Sequence, residues 1–172
     1  WSGSSWGIIG SAIDGEADSD EYFGGSLDLS EDGTIIVIGA WNSGTEEHGL
    51  VRIYEYVNSD WSQIGDDIVG EETNRDRVRF GFSSAIATPQ SSGTTGTIIA
   101  VGSPWSWEGN GQEGGQVRVF TYNGTAWTQV GDDINGVFWF GQEGLSISLS
   151  SDGTILATGS KQGDGGNASQ KK

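Results

Sequence analysis

An internal repeat constrains the fold of this chain more than any other feature of its sequence. Residues 61–68 read WSQIGDDI, and residues 127–134 read WTQVGDDI. Self-similarity over a distance of this size is typical of solenoids, propellers and arrays, in which each unit buries its apolar faces only against its neighbours. We therefore interpret the Trp and the Ile or Val of this stretch as packing residues and its Gly-Asp-Asp as a turn that leaves a strand.

The tryptophan of this stretch divides the chain into three units. Unit one covers residues 1–60 and includes the end of a preceding unit, unit two covers residues 61–126, and unit three covers residues 127–172 and is incomplete. Within each unit, short β-branched and aromatic runs lie between clusters of Gly, Asp and Ser, which is typical of strands. No segment has helical periodicity, so we expect almost no helix.

Four strands are predicted in a complete unit. Residues 24–30 and 34–40 predict a hairpin around the turn SEDG, and residues 146–150 and 154–160 repeat it around SSDG. The segments VRIYEY and VRVFTY predict a third strand, and a fourth begins at the marker Trp. Four short antiparallel strands match the size of one propeller blade. The predicted fold is all-β, with tandem four-stranded antiparallel blades forming part of a β-propeller; an open β-repeat stack and a sandwich are the alternatives.

Two short motifs in each complete unit resemble those of a known family. Unit one contains Phe23-Gly24 and Gly39-Ala40, and unit two contains Phe80-Gly81 and Gly102-Ser103-Pro104. These motifs resemble the FG-GAP repeat of integrin α-type propellers and of related secreted and surface proteins. The resemblance implies a propeller and says little about activity, because propellers host many functions.

The third unit departs from this family pattern. Glu143 stands where the Phe of the first motif is expected, and Gly-Ser-Lys at residues 159–161 replaces Gly-Ala-Pro. Two complete units and part of a third do not close a ring of roughly 4 to 8 blades. We therefore expect a longer parent chain, with completion by other copies or an open filament of repeats as alternatives.

Composition excludes several classes of function. The 24 acidic residues against 8 basic ones give a net charge of −16, which disfavours nucleic acid and anionic membrane surfaces as partners. The sequence has no Cys, which excludes disulfides, thiolate metal sites and a cysteine nucleophile. No apolar run approaches the roughly 20 residues that span a bilayer, so no membrane span is predicted.

An acidic segment in unit one is the candidate metal site. On a curved loop its carboxylates could converge on one cation, most reasonably Ca²⁺, whereas a solvated acidic loop is the alternative. The acidic side chains, at every second position, are those of Asp14, Glu16, Asp18 and Asp20. We otherwise expect no cofactor.

The resemblance also implies calcium in the hairpin turns. Asp28, Ser30 and Asp32 have the required spacing, but Ile36 stands where the closing carboxylate should be. We therefore interpret these loops as turns in which Asp precedes Gly.

Tryptophans and arginines in loops are the candidate contacts to a ligand or partner. Aromatic side chains in Gly-rich loops either cover the core or stack on a partner, and alternating arginines bind acidic groups of a partner, a glycan or a neighbouring blade. The candidates are Trp41, Trp105, Trp107, Arg75, Arg77 and Arg79.

Catalytic motifs are missing from the sequence. The one histidine, His48, lies in an acidic loop, and no nucleophile elbow, HExxH or phosphate-binding loop is present. Asn123 and Asn167 lie in glycosylation sequons in predicted turns.

These observations predict a non-catalytic β-propeller module, secreted or at the cell surface, or in an organelle lumen. We expect it to serve protein interaction, adhesion or structural assembly, with a protein partner or other copies of the repeat. A carbohydrate-binding propeller, an accessory subunit of a large complex or filament, and a fragment of a propeller hydrolase or lyase are the alternatives.

Overall fold

A computed structural model describes residues 3–16, 22–44, 48–71, 78–89, 93–106 and 114–161. This part of the chain contains twelve strands and no helix. In chain order the strands are β1 Phe23–Leu29, β2 Ile35–Ala40, β3 Leu50–Val57, β4 Asp60–Gln63, β5 Ile68–Val69, β6 Ser83–Ala87, β7 Ile98–Ser103, β8 Gln116–Tyr122, β9 Trp127–Gln129, β10 Ile134–Asn135, β11 Ser146–Leu149 and β12 Leu156–Gly159. The predicted all-β class is confirmed.

The strands form three antiparallel sheets that follow the sequence repeat. The first sheet has the order β1-β2-β3-β4, and the second places β6, β7, β8 and β9 in the same relation. The third consists of β11 and β12, which are the first hairpin of unit three. The predicted hairpins and third strands are therefore confirmed, since alternating apolar runs bounded by Asp-Gly turns form strands in this order.

The fourth strand differs from its prediction. The Gly-Asp-Asp does not leave the strand but bulges from it, because β5 resumes pairing with β3 and β10 resumes pairing with β8. Gly65, at φ 73°, and Gly131, at the same φ, adopt the left-handed backbone that starts the bulge.

The three sheets lie side by side, with β6 packed between β1 and β11. A shared core fills the space between the first and second sheets. Its buried residues are Ile35, Val37, Val51, Ile53, Val78, Phe80, Ile86, Ile99, Val101 and Phe120. The first two sheets therefore bury apolar surface against each other, as expected of a repeat protein.

The hairpin turns are closed by a serine and an aspartate. Asp32 Oδ1 accepts hydrogen bonds from Ser30 Oγ and from the backbone and side chain of Thr34, at 2.7 to 3.0 Å. Asp152 is held in the same way in the third sheet. These hydrogen bonds hold the pKa of Asp152 at about 2, below its ordinary value of 3.8. Both carboxylates thus accept the hydrogen bonds of a turn in which Asp precedes Gly, as the sequence predicts.

Among the described residues, no helix has the length and apolar character needed to cross a membrane.

Candidate functional site

Two equivalent seams join the first strands of neighbouring sheets. In the first seam, Ser26 Oγ donates to the carbonyl oxygen of Gly81 at 2.9 Å, and in the second, Ser83 Oγ donates to that of Gly144 at 2.7 Å. A Cβ atom on Gly102 would lie well within 3.0 Å of the Gly144 oxygen. The glycines of the family-like motifs therefore permit close approach of two backbones.

The repeated WxQxGDDI stretch also joins neighbouring units. The indole Nε1 of Trp127 donates to the carbonyl oxygen of Ile64 at 2.9 Å, and the Trp127 ring covers Gly65. Trp61 lies over Gly10 in the equivalent way. The interpretation of these tryptophans as packing residues is therefore supported by direct contacts.

The arginine of each third strand is an internal ion-pair centre. The buried Arg52 forms a bidentate contact with Asp67 at 2.8 to 2.9 Å and reaches Glu16 at 3.4 Å. These hydrogen bonds lower the pKa of Asp67. The equivalent Arg118 is also buried and donates to Glu71 at 2.9 Å.

Burial lowers the pKa of Arg118, against the opposing charges of Glu71 and Asp133. Its guanidinium carbon lies 4.6 Å from the centre of the Phe80 ring. The Phe of the FG motif therefore supports an arginine of its own unit through a cation–π contact.

A repeated turn precedes the first strand of every unit. Tyr22, Arg79 and Gln142 each adopt a left-handed backbone, with φ of 62°, 54° and 54°. In each turn the carbonyl oxygen of that residue accepts a hydrogen bond from the backbone NH three residues later. Left-handed φ is unfavourable for residues with a Cβ and is tolerated best by glycine, so each turn holds its side chain at some cost.

The turn of unit two holds Arg79 against the two tryptophans that follow the second strands of units one and two. The Arg79 guanidinium carbon lies over Trp41, 4.9 Å from the ring centre, and over Trp105 at 4.3 Å. Tyr22 stacks on Trp41 at 4.1 Å, and the Phe82 ring lies 5.0 Å from that of Trp105. We call these five residues, Tyr22, Trp41, Arg79, Phe82 and Trp105, the Arg79 cluster.

The cationic donors of this cluster are not used within the described part of the protein. No hydrogen bond or ion pair joins the Arg79 side chain to a described residue, and its Nε is buried without an acceptor. Arg79 as a residue is half-buried rather than fully buried. A guanidinium that is stacked on rings keeps its N–H donors in its own plane, so the contacts with Trp41 and Trp105 do not use those donors.

Three of the predicted contact residues therefore meet in one place, namely Trp41, Trp105 and Arg79. They come from two units, which the sequence alone did not indicate. Among the described residues, Arg79 has no acidic partner from a neighbouring unit. Trp107, Arg75 and Arg77 lie outside the described residues.

Sequence reasoning missed the two other members of the cluster. Tyr22 and Phe82 flank the FG dipeptides of units one and two, on the preceding and following side respectively. The positive φ of the residue before the dipeptide is a property of the folded backbone and is not visible in the sequence. The alignment of Tyr22 with Arg79 in the repeat, however, is a sequence signal that these two residues occupy equivalent positions.

The candidate metal site is only partly described. Asp14 is exposed, Glu16 lies against Arg52, and Asp18 and Asp20 lie outside the described residues. Over the described ranges, no group of three or more His or acidic side chains is arranged to hold a metal. Calcium at this segment stays a prediction.

The predicted sequon at Asn123 lies in an exposed turn, whereas Asn167 lies outside the described ranges. Asn123 Oδ1 accepts hydrogen bonds from the backbone of Thr125 and Ala126, both at 2.9 Å. His48, expected in an acidic loop, is buried.

Comparison of the chain with protein-family models and with curated proteins finds no match.

Proposed function

We propose that this chain is a stretch of tandem β-propeller repeats that acts as a non-catalytic binding module outside the cell or in an organelle lumen. The side-by-side sheets, with their first strands adjacent and their seams repeated, support the propeller architecture. The exposed sequon at Asn123 agrees with a secretory location.

One observation carries the binding role. The Arg79 guanidinium lies over two tryptophan rings and makes no hydrogen bond or ion pair with a described residue, although the chain has three times as many acidic as basic residues. Arginine and tryptophan are the residues that dominate binding energy at interfaces. A preformed aromatic support lowers the entropy cost of using the arginine, which favours binding.

The chemistry of the cluster suits binding rather than catalysis. Its five members are one arginine and four aromatic side chains, with no carboxylate, imidazole or aliphatic hydroxyl among them. The cluster therefore holds a ligand in place but supplies neither a general base nor a nucleophile.

Binding arrays with matched variants test this proposal. The chain is probed against immobilised glycans and peptides, together with Arg79→Gln and Trp105→Ala. Lys161→Gln and Trp139→Ala are the controls, because they remove one positive charge and one indole ring at exposed positions outside the cluster. We expect the cluster variants to lose binding and the controls to keep it; binding that survives both cluster variants, or turnover of the bound ligand, contradicts the proposal.

A second candidate function is structural assembly through further repeats. In the third sheet, Ser146 Oγ lies against Gly159, just as Ser83 Oγ lies against Gly102 in the second sheet. The third sheet therefore has the serine and the glycine with which the second sheet forms its seam, and a further repeat could pack there. Native mass spectrometry of the chain, with and without calcium chelation, tests it. Assembly predicts oligomers that Gly159→Val dissociates, and a monomer at all concentrations contradicts it.

A further inference from the structure

We infer that the Arg79 cluster binds a uronic acid residue of a glycan, with the sugar carboxylate on the terminal nitrogens of Arg79 and the sugar ring against the exposed aromatic surface. This inference rests on the proposed binding role of the same cluster and names its ligand.

Three arginines of this chain differ in their acidic partners. Among the residues that the structure describes, Arg52 and Arg118 each donate to carboxylates at 2.8 to 2.9 Å, whereas Arg79 has none. Guanidinium groups match carboxylates in geometry, because two parallel N–H donors face two oxygens. A carboxylate is therefore the ligand group that best matches the donors of Arg79 that no described residue uses.

The backbone at Arg79 is left-handed. Its φ of 54° would be free of strain for glycine, and the turn hydrogen bond to Phe82 does not involve the side chain. The turn therefore does not require arginine, and the Arg79 guanidinium lies over the rings of Trp41 and Trp105. The same left-handed turn holds Tyr22 in unit one and Gln142 in unit three, so the repeat fixes this position and only the residue type distinguishes Arg79.

The body of the ligand requires an apolar surface. Tyr22 is 60% exposed and stacks on Trp41, which is one of the two rings that the Arg79 guanidinium contacts. A pyranose ring has an apolar C–H face that packs on such rings, while its hydroxyl groups stay in water. Carboxylate and apolar face are thus both provided for within one monosaccharide.

Net charge favours this ligand over an acidic peptide. The chain carries −16, so a segment with several negative charges is repelled over the whole surface. A single uronate among neutral sugars brings one charge directly to Arg79 and adds little further repulsion.

Titration by nuclear magnetic resonance tests the inference with methyl β-glucuronide as the probe and methyl β-glucoside as its neutral match. The indole N–H signals of Trp41 and Trp105 report binding at the cluster. We expect saturable shifts with the glucuronide and binding of the glucoside weaker by about 10- to 100-fold, which is the effect of one charge-assisted hydrogen-bonded contact.

Variants assign the difference to the guanidinium. Arg79→Gln is expected to reduce glucuronide affinity to that for the glucoside and to leave glucoside affinity unchanged. Arg79→Lys keeps the charge but not the planar pair of donors, and we expect intermediate affinity. Circular dichroism melting of both variants verifies that the fold is kept, and Lys161→Gln is the control for charge.

The outcomes separate this inference from the proposed function. Equal affinity for glucuronide and glucoside overturns the carboxylate contact, while the binding role stands. An Asp-Glu dipeptide amide is the third probe. If it shifts the same indole signals and the glucuronide does not, the assignment of the ligand as a sugar is overturned. Shifts with neither probe overturn the inference, and the array experiment then decides the binding role independently.

Discussion

The indole nitrogen of Trp127 donates a 2.9 Å hydrogen bond to the carbonyl oxygen of Ile64, which directly follows β4 in the preceding unit. The two residues belong to the two copies of the WxQxGDDI stretch. The sequence is repeated because the tryptophan of one copy packs on the glycine of the copy before it. A unit of this kind is stabilised by its neighbours rather than by a core of its own.

The Trp127 contact predicts the effect of losing one hydrogen bond between units. Trp127→Phe keeps an aromatic ring but leaves the Ile64 oxygen without this donor, so we expect a loss of about 1 kcal/mol in the free energy of unfolding. Urea denaturation measures it. Trp61→Phe is the control, because the Trp61 indole forms no such hydrogen bond with a described residue, and an equal loss in both variants contradicts the assignment.

Strands and hairpins were predictable because their signals are local. Asp32 and Asp152 stand between a serine and a Gly-Thr pair, and these neighbours supply the turn hydrogen bonds themselves. The interrupted fourth strand was not predictable from local pattern. Its bulge is held by Arg52, which contacts Asp67 from another strand, and only the folded sheet brings the two together.

The Arg79 cluster was likewise not predictable from local sequence patterns. Trp41, Trp105 and Arg79 were each candidates from composition, because isolated aromatic and basic side chains in loops invite such a hypothesis. Their convergence depends on the left-handed turn at Arg79 and on how closely the glycine seams bring two units together. Both are properties of the backbone in three dimensions.

Close approach at the second seam predicts intolerance to a single methyl group. Gly102→Ala places a Cβ against the carbonyl oxygen of Gly144, which belongs to the backbone and cannot rotate away. We expect destabilisation of about 1 to 3 kcal/mol or more, as for an overpacked core. Thermal unfolding measures the effect. Gly7→Ala serves as the control, since no atom lies within 4 Å of its added Cβ, and an unchanged melting temperature for Gly102→Ala would contradict the close contact.

The hairpin turn of the third sheet predicts a dependence on acidic pH. The pKa of Asp152 is lowered from 3.8 to about 2 by hydrogen bonds from Ser150 and Thr154. A lowered pKa means that the ionised form is favoured by folding, so its contribution is complete above pH 3.8 and is lost as the pH falls through about 2. Carboxyl carbon chemical shifts follow this titration directly.

Asp152→Asn is the matched variant for this measurement. It keeps an oxygen acceptor but has no proton to bind, so the Ser150 and Thr154 signals of the variant should lose the transition with a midpoint at about 2. A midpoint for Asp152 near its ordinary value in the unsubstituted chain would contradict the turn hydrogen bonds.

The two buried arginines predict unequal effects of equivalent substitutions. Glu16 and Glu71 occupy matching positions, but Arg52 keeps a bidentate contact with Asp67 when Glu16 is lost, whereas the side-chain hydrogen bond of Arg118 in the described structure goes to Glu71. We expect Glu71→Gln to lower the free energy of unfolding by about 1 kcal/mol, because the buried Arg118 loses a charged acceptor but the Glu71 side chain is 65% exposed and water screens the pair. The Glu16 side chain is 73% exposed, and since Arg52 stays paired with Asp67, the loss of Glu16 should cost less than this. Urea midpoints at constant slope measure both variants, and equal midpoints would show that Asp133 alone compensates the charge of Arg118.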